Sequence, residues 1–327
     1  MVIDLHAHYV PAALAEQLRA RSQVPRIEPM PDSSERLLMP IGMLAFADDF
    51  IDLASRLEQM DRWGIDRQLL SLPGLFGIDS LALDEALPMV RMFNDDCAAQ
   101  CARWPRRFTG LAALPLADTD AAIAELRRGC RELGLLGCIL PVDGFASCAA
   151  ADRLAPIFEA ANTLGAHVFV HPGRVAGGGR PPSEPPDCPL ARRALAVQHD
   201  IGEAMVTLLL SDFLDAYPNV RVHVANLGGT FAAAVERMDH MVALRDPTLE
   251  LPSRRTGRVW VDCASLGARA LEQAVAVFGM DRVVLGTDCP IFDSARTLAG
   301  VREARLSTDA HERILGRNAE VLLASAC

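Results

Sequence analysis

The apolar pattern of this chain alternates between short apolar runs and amphipathic stretches, and this alternation limits the possible folds more than any other feature. Strands that are buried on both faces are apolar along most of their length. Eight runs have this character, at residues 2–6, 66–72, 108–114, 137–142, 167–172, 220–226, 259–265 and 282–288. Helical spacing of apolar residues occurs between them, at 120–134, 153–165, 203–218, 230–244 and 268–279. Strands that alternate with helices predict a parallel sheet covered on both sides.

Such a sheet can close into a (β/α)₈ barrel, that is, a TIM barrel, or remain an open doubly wound sheet. The open sheet requires a glycine-rich phosphate turn after its first strand, and residues 6–16, "HAHYVPAALAE", contain no glycine. The sequence therefore favours the barrel, formed as a single domain over residues 1–327. Two stretches rich in proline or glycine, 22–50 and 173–196, interrupt the alternation and predict excursions over the barrel mouth, the second a long loop.

The net charge of −10 argues against nucleic acid and anionic membrane surfaces as partners. No run reaches the roughly 18 apolar residues of a membrane span. The first ten residues carry Asp and His and no basic leader, so they do not resemble a signal peptide. The nine cysteines are scattered without a CxxC pair, which is typical of reduced thiols. These features together predict a cytoplasmic protein.

Four polar side chains are expected at the ends of strands, where a barrel has its active site. His6 and His8 are two residues apart on the first strand and therefore point the same way. His171 ends the fifth strand and Asp288 ends the eighth. Three imidazoles and one carboxylate, with a position left open for water or substrate, are typical of a catalytic metal site.

The segments that carry these residues, "IDLHAHYVP", "FVHPG" and "LGTDCP", resemble the amidohydrolase superfamily. More specifically, they resemble its aminocarboxymuconate-semialdehyde decarboxylase-like branch, as do "RLEQMDRWGIDRQLLS" and "ILGRNAEVLL". The resemblance implies a distorted barrel, commonly in a homodimer. It also implies that His6, His8, His171 and Asp288 bind Zn²⁺, with Mn²⁺ as the alternative.

The segment after the sixth strand departs from that branch, whose members usually carry "AHGGG" or "AHLGG" with a histidine that acts as a base. Here the segment is "ANLGG", and Asn226 takes that position. An amide donates and accepts hydrogen bonds but accepts no proton at neutral pH. His223, three residues earlier, would point to the opposite face of a regular strand and so would not substitute. Three interpretations stay open: a substrate that needs no histidine, a weakened or inactive protein (a deliberate His→Asn change included), or another histidine from a loop.

The preferred function is a metal-dependent decarboxylase of a small unsaturated or hydroxyaromatic carboxylic acid. Asp288 or the metal-bound water would carry the acid–base chemistry, and Asn226 would serve as a hydrogen-bonding group. The alternative is a metal-dependent hydrolase of a lactone, an amide or a C–C bond. The mouth segment 41–52 has none of the arginines that bind a second carboxylate in the branch's namesake. Met43 and Phe46 in that segment, and Arg174 or Arg180 after His171, are the expected substrate contacts.

Overall fold

The computed structural model describes residues 1–40, 42–175, 187–264 and 266–324. Its strands are β1 Ile3–His8, β2 Arg26–Pro29, β3 Glu35–Met39, β4 Gly42–Phe46, β5 Arg67–Ser71, β6 Phe108–Gly110, β7 Gly137–Pro141, β8 His167–His171, β9 Arg221–Val224, β10 Val259–Asp262 and β11 Val283–Val284. Its α-helices are α1 Ala12–Ala20, α2 Leu53–Trp63, α3 Leu83–Arg103, α4 Thr119–Arg131, α5 Cys148–Leu164, α6 Pro189–Leu210, α7 Phe231–Arg245, α8 Ala268–Phe278, α9 Ser294–Glu303, α10 Thr308–Glu312 and α11 Asn318–Leu323.

Two parallel sheets make up the wall of the barrel. One has the order β1-β5-β6 and the other the order β11-β10-β9-β8-β7. Parallel bridges join them on both sides, between Ala7 and Cys289 and between Ala112 and Cys138. The ring of strands therefore closes, and the predicted (β/α)₈ barrel is confirmed. Each of the eight apolar runs corresponds to one of these strands.

The inside of the barrel is filled by a separate apolar cluster. Ile3, Leu5, Leu69, Ile139 and Phe169 are among its buried members. The outward-facing side chains of the same strands belong to the larger core that packs under the helices. This two-layer arrangement leaves the strand ends as the positions where polar side chains can converge.

Capping residues set the ends of several helices. Asp118 caps α4 by accepting a hydrogen bond from the backbone N–H of Ala121. Ser147 caps α5 through the N–H of Ala150, and Gly165 ends that helix in the left-handed conformation that glycine adopts without a steric penalty. The helices predicted at 120–134, 153–165, 230–244 and 268–279 are confirmed as α4, α5, α7 and α8.

The region after His171 corrects the predicted boundaries. The long loop expected at 173–196 is wrong for residues 189–196, because α6 already begins at Pro189, and residues 176–186 lie outside the described ones. Proline is favoured in the first turn of a helix, whose N–H groups have no intrahelical partner. The helix predicted at 203–218 is the second half of α6, which ends at Leu210.

The excursion at 22–50 contains a small antiparallel sheet in the order β2-β3-β4. Leu37 of β3 and Phe46 of β4 are buried, so this sheet has an apolar side packed against the main core. The single-domain organisation over 1–327 stays a prediction. Among the described helices, none combines the length and apolar character that crossing a membrane requires.

Candidate metal centre

The structure brings the four predicted ligands together at one end of the barrel. His6 and His8 project from β1, His171 ends β8, and Asp288 follows β11. One ligand atom from each lies within 4.8 Å of the others. All four are buried, with exposed fractions of 0%, 0%, 1% and 6% in that order.

The atoms that face one another in this cluster lack the partners that buried polar groups require. Nε2 of His6 and Nε2 of His8 lie 3.4 and 3.1 Å from Oδ1 of Asp288. Even so, these three atoms make no hydrogen bond with any described residue. Buried polar atoms left without partners are costly, and a metal ion would satisfy all of them at once. The donor set of three imidazoles and one carboxylate therefore forms a metal-binding site.

The other nitrogen of each imidazole is held by an acceptor. Nδ1 of His6 donates to Oδ2 of Asp262 over 3.0 Å, and Nδ1 of His171 donates to the carbonyl of Pro172 over 2.9 Å. Nδ1 of His8 lies 3.1 Å from the hydroxyl of Ser71. That hydroxyl donates to the carbonyl of Ala7 and so can accept from His8. A neutral imidazole protonated at Nδ1 leaves the lone pair of Nε2 free for a metal.

Asp262 is the centre of this supporting layer, and sequence reasoning missed it. Its carboxylate is fully buried and binds His6 and, over 2.9 Å, Nε2 of His223. It also accepts hydrogen bonds from the backbone N–H groups of Asn226 and Ala264. The available signal was a carboxylate at the end of the apolar strand "VWVD", the same position that identified Asp288 on the eighth strand.

The electrostatics fit a site built for a cation. Burial, followed by repulsion from His8 and His6, lowers the pKa of His171 well below its usual value, so its imidazole is neutral. Burial also acts to lower the pKa of His6, but the carboxylates of Asp262 and Asp288 outweigh it and raise that pKa to about 10. Without a metal ion, His6 therefore binds a proton. A bound metal ion would supply that positive charge instead.

The loop that carries Asp288 is tied to the first strand. Asp288 has a φ of 59°, and its backbone N–H donates to the carbonyl of His6 over 2.7 Å. Just before it, the N–H and hydroxyl of Thr287 both donate to the buried carboxylate of Asp4. These contacts hold a strained backbone conformation in place and fix the ligand beside β1.

The structure corrects the expected position of His223. Its ring lies inside the barrel, stacked on Phe169 with the ring centroids 4.3 Å apart, and it bonds the carboxylate that orients His6. The alternation rule failed because β9 ends at Val224 and the chain then turns through positive φ at Asn226 and Leu227. Asn226 itself is 5% exposed, and its side-chain oxygen has no partner among the described residues.

The predicted substrate contacts are spread over the mouth segments. Met43 is 55% exposed and lies against Arg36, whereas Phe46 is buried and stacks on Phe50 with the ring centroids 5.2 Å apart. Arg174 is half-buried. Burial raises the pKa of Asp143 and of Asp200, and the positive charge of Arg174 opposes this rise. Within the described ranges, no hydrogen bond, ion pair or ring contact joins these side chains to the four ligands, so their roles stay predictions. Arg180 lies outside the described residues.

The chain is similar to known proteins over most of its length. The family model described as "Amidohydrolase" matches residues 3–324. The chain is 30% identical over 274 residues to the 2-amino-3-carboxymuconate-6-semialdehyde decarboxylase of Dictyostelium discoideum, covering 81% of this chain and 74% of that protein. It is 29% identical over 282 residues to the gamma-resorcylate decarboxylase of Rhodococcus jostii, covering 80% and 84% of the two.

A solved structure shares the fold. The dihydroxybenzoic acid decarboxylase of Polaromonas sp. JS666, crystallised with bound manganese and the inhibitor 2-nitroresorcinol, matches with a TM-score of 0.73 at 20% identity. The match covers 99% of this chain and 96% of that one. The likeness extends over the barrel and its mouth segments together.

Proposed function

The chain belongs to the amidohydrolase family, and from this premise we propose that it is a metal-dependent decarboxylase of hydroxyaromatic carboxylic acids. The observation that carries the proposal is the buried cluster of His6, His8, His171 and Asp288. In it, Nε2 of His6, Nε2 of His8 and Oδ1 of Asp288 have no hydrogen-bond partner among the described residues. The names of its curated relatives support decarboxylation as the reaction. The absence of arginines from segment 41–52 supports a substrate with one carboxylate rather than two.

The four ligands would hold Zn²⁺ or Mn²⁺, which supplies Lewis acidity for the oxygen atoms of the bound acid. Zinc suits the imidazole-rich donor set, and manganese is the alternative. Asp288 is the ligand with the largest exposed fraction, 6%. It is therefore the side chain best placed to exchange a proton with a substrate in the mouth.

The proton transfer from the substrate's hydroxyl to the ring carbon is assigned to Asp288. Burial acts to raise its pKa, but the imidazoles of His6 and His8 beside it outweigh this and hold the pKa well below its usual range, so Asp288 is present as the carboxylate. The carboxylate can take the proton of the substrate's hydroxyl and deliver it to the ring carbon that bears the carboxylate. The C–C bond then breaks, its electron pair returns to the ring, and CO₂ leaves. The phenolate regains a proton from solvent, so one proton is consumed and no water is incorporated.

Asn226 fits this scheme as a positioning group for the hydroxyl. Its unpartnered side-chain oxygen is an acceptor, and its backbone is anchored to Asp262, the carboxylate that also orients His6. A substrate with its own ionisable hydroxyl needs no histidine base. In this scheme, an asparagine at position 226 in place of the family's usual histidine is therefore compatible with activity.

The proposal is tested by metal content and product analysis. Protein loaded with Zn²⁺ or Mn²⁺ is expected to bind about one ion per chain and to release CO₂ from 2,6-dihydroxybenzoate. No ¹⁸O from labelled water should enter the aromatic product. His171→Ala should lose both the metal and the activity, whereas His240→Ala, the same change on the exposed face of α7, should keep both. Incorporation of ¹⁸O would instead identify a hydrolase, and absence of metal in the loaded protein would exclude both enzymes.

Asn226→Gly removes the carboxamide while tolerating the φ of 55° at this position. We expect kcat/KM to fall about tenfold, the effect of losing one hydrogen bond of ordinary strength. Metal content should be unchanged, because Asn226 is not a ligand. The informative second variant is Asn226→His: if it creates activity in a chain that otherwise has none, the native protein is an inactive member of the family.

Three finer assignments are part of the same proposal. They are zinc as the resident metal, a homodimer as the assembly and the cytoplasm as the location. The first is supported by the donor set and the other two by family resemblance and composition. Elemental analysis of protein purified without added metal and size-exclusion chromatography with light scattering measure the first two.

A further inference from the structure

The opposite end of the barrel, where the strands begin, carries a second group of residues that the proposed function does not use. Arg221 begins β9, Trp260 is the second residue of β10, and Arg282 immediately precedes β11. These three strands are neighbours in the sheet, so the three side chains meet at one place. In barrels of this type the N-terminal face usually serves stability, whereas chemistry occurs at the other end.

The two guanidinium groups lie over the indole ring. Cζ of Arg282 is 4.4 Å and Cζ of Arg221 is 5.9 Å from the ring centroid of Trp260. Together with Arg258 and Tyr217 they line a cavity of about 340 Å³. A cavity of this size accepts a small organic or inorganic ion.

Two buried donors of this cavity are not satisfied. Nε1 of Trp260 and Nε of Arg221 are buried and make no hydrogen bond with any described residue. Trp260 is 8% exposed, so its N–H has little access to water. Arg258, in contrast, is paired with Asp215 over 2.8 Å. For Arg221 and Arg282, the described part of the chain provides no carboxylate within ion-pair distance, although the chain as a whole carries a net charge of −10.

The two positive charges also act on each other. Burial lowers the pKa of Arg282, and the charge of Arg221 adds to this shift while Asp281 opposes it. Deeper in the barrel, His167 is fully buried, and neither of its ring nitrogens has a partner among the described residues. Stacking on an indole stabilises a guanidinium but leaves its N–H groups unbonded. The stacking alone therefore does not account for this cluster.

We propose that Arg221, Trp260 and Arg282 form a binding site for a small oxyanion, a phosphate or a carboxylate, at the N-terminal face of the barrel. Guanidinium groups match the geometry of these anions, and a buried indole N–H adds a directional donor. The site is independent of the proposed decarboxylation because it lies at the other end of the strands from the metal ligands.

The fluorescence of Trp260 reports directly on anion binding at this site. In a Trp63→Phe/Trp104→Phe background, Trp260 is the remaining tryptophan of the three in the sequence. Titration with inorganic phosphate, and separately with benzoate, at constant ionic strength should change its emission with a saturable dependence on concentration. The apparent Kd should rise at least tenfold in Arg221→Gln and in Arg282→Gln. Arg237→Gln, the same charge change on an exposed position of α7, should leave the Kd unaltered.

Thermal unfolding of the chain with its natural tryptophans provides a second readout. Saturating ligand should raise Tm by about 2 °C or more, by binding the folded state preferentially. Phosphate also stabilises proteins without binding, so the expected result is a rise in the native chain and in Arg237→Gln that is lost in Arg282→Gln. Saturation by phosphate alone identifies a phosphate site, and saturation by benzoate alone a carboxylate site. A linear response to both anions, or an equal Tm rise in all variants, overturns the proposal.

Discussion

Asp288→Asn is expected to lower the rate of CO₂ release by about 10³-fold, within the range found when a positioned acid–base group is removed. The amide cannot take the proton of the substrate's hydroxyl or return it to the ring carbon. The backbone should be undisturbed, because asparagine tolerates the φ of 59° that Asp288 adopts. The measurement is single-turnover CO₂ release from 2,6-dihydroxybenzoate, with metal content determined on the same samples.

Asp293→Asn is the matched control for this variant. It makes the same chemical change five residues further along, at an N-cap whose side chain accepts a hydrogen bond from the N–H of Ala295. It should retain full activity. If Asp288→Asn with full metal occupancy kept activity within tenfold of the native level, proton transfer would have to be assigned elsewhere.

Asp262→Asn is expected to weaken metal binding by about 10–100-fold, the usual effect of removing a group that orients a histidine ligand. An amide can accept from Nδ1 of His6 or from Nε2 of His223, but its oxygen lacks the charge that holds both imidazoles. Stability should fall as well, by about 3 kcal/mol or more, because a buried charge network is broken. Competition with a fluorescent chelator measures the affinity, and denaturant unfolding measures the stability.

Glu125→Gln separates these two effects. Glu125 is also a buried carboxylate, 1% exposed, and it binds Asn94 and Arg128 on the outside of the barrel wall. Its variant should lose stability and keep the native metal affinity. If both variants lowered stability while neither changed the affinity, Asp262 would be a structural residue with no part in positioning His6.

The four ligands could be predicted from the sequence because each depends on a short-range rule. Side chains two residues apart on a strand lie on the same face, and this rule places His6 beside His8. A polar residue at the end of an apolar strand in a barrel lies near the site, which places His171 and Asp288 there. Asp262 obeys the second rule equally well. It was missed because "VWVD" is not among the segments that carry the family resemblance.

The errors arose where the backbone leaves regular structure. Alternation along a strand predicted that His223 and Asn226 face opposite ways. The strand ends at Val224, however, and the backbone has positive φ at Asn226 and Leu227. The beginning of α6 at Pro189 was missed because proline and glycine upstream were interpreted as a continuing loop. The pairing of Arg221 and Arg282 over Trp260 joins residues far apart in sequence, and no local pattern could indicate it.

The seam between β1 and the segment after β11 has a consequence for how the protein is made. The hydrogen bonds from Thr287 to Asp4 span 283 residues of sequence, and Cys289 completes the pairing of β1. A nascent chain therefore exposes one edge of its first strand, with His6 and His8 beside it, until nearly all of the barrel has been synthesised. Contacts of such long range slow folding and leave an unpaired edge open to wrong partners. Expression at lower temperature or with additional chaperone should accordingly increase the yield of soluble enzyme.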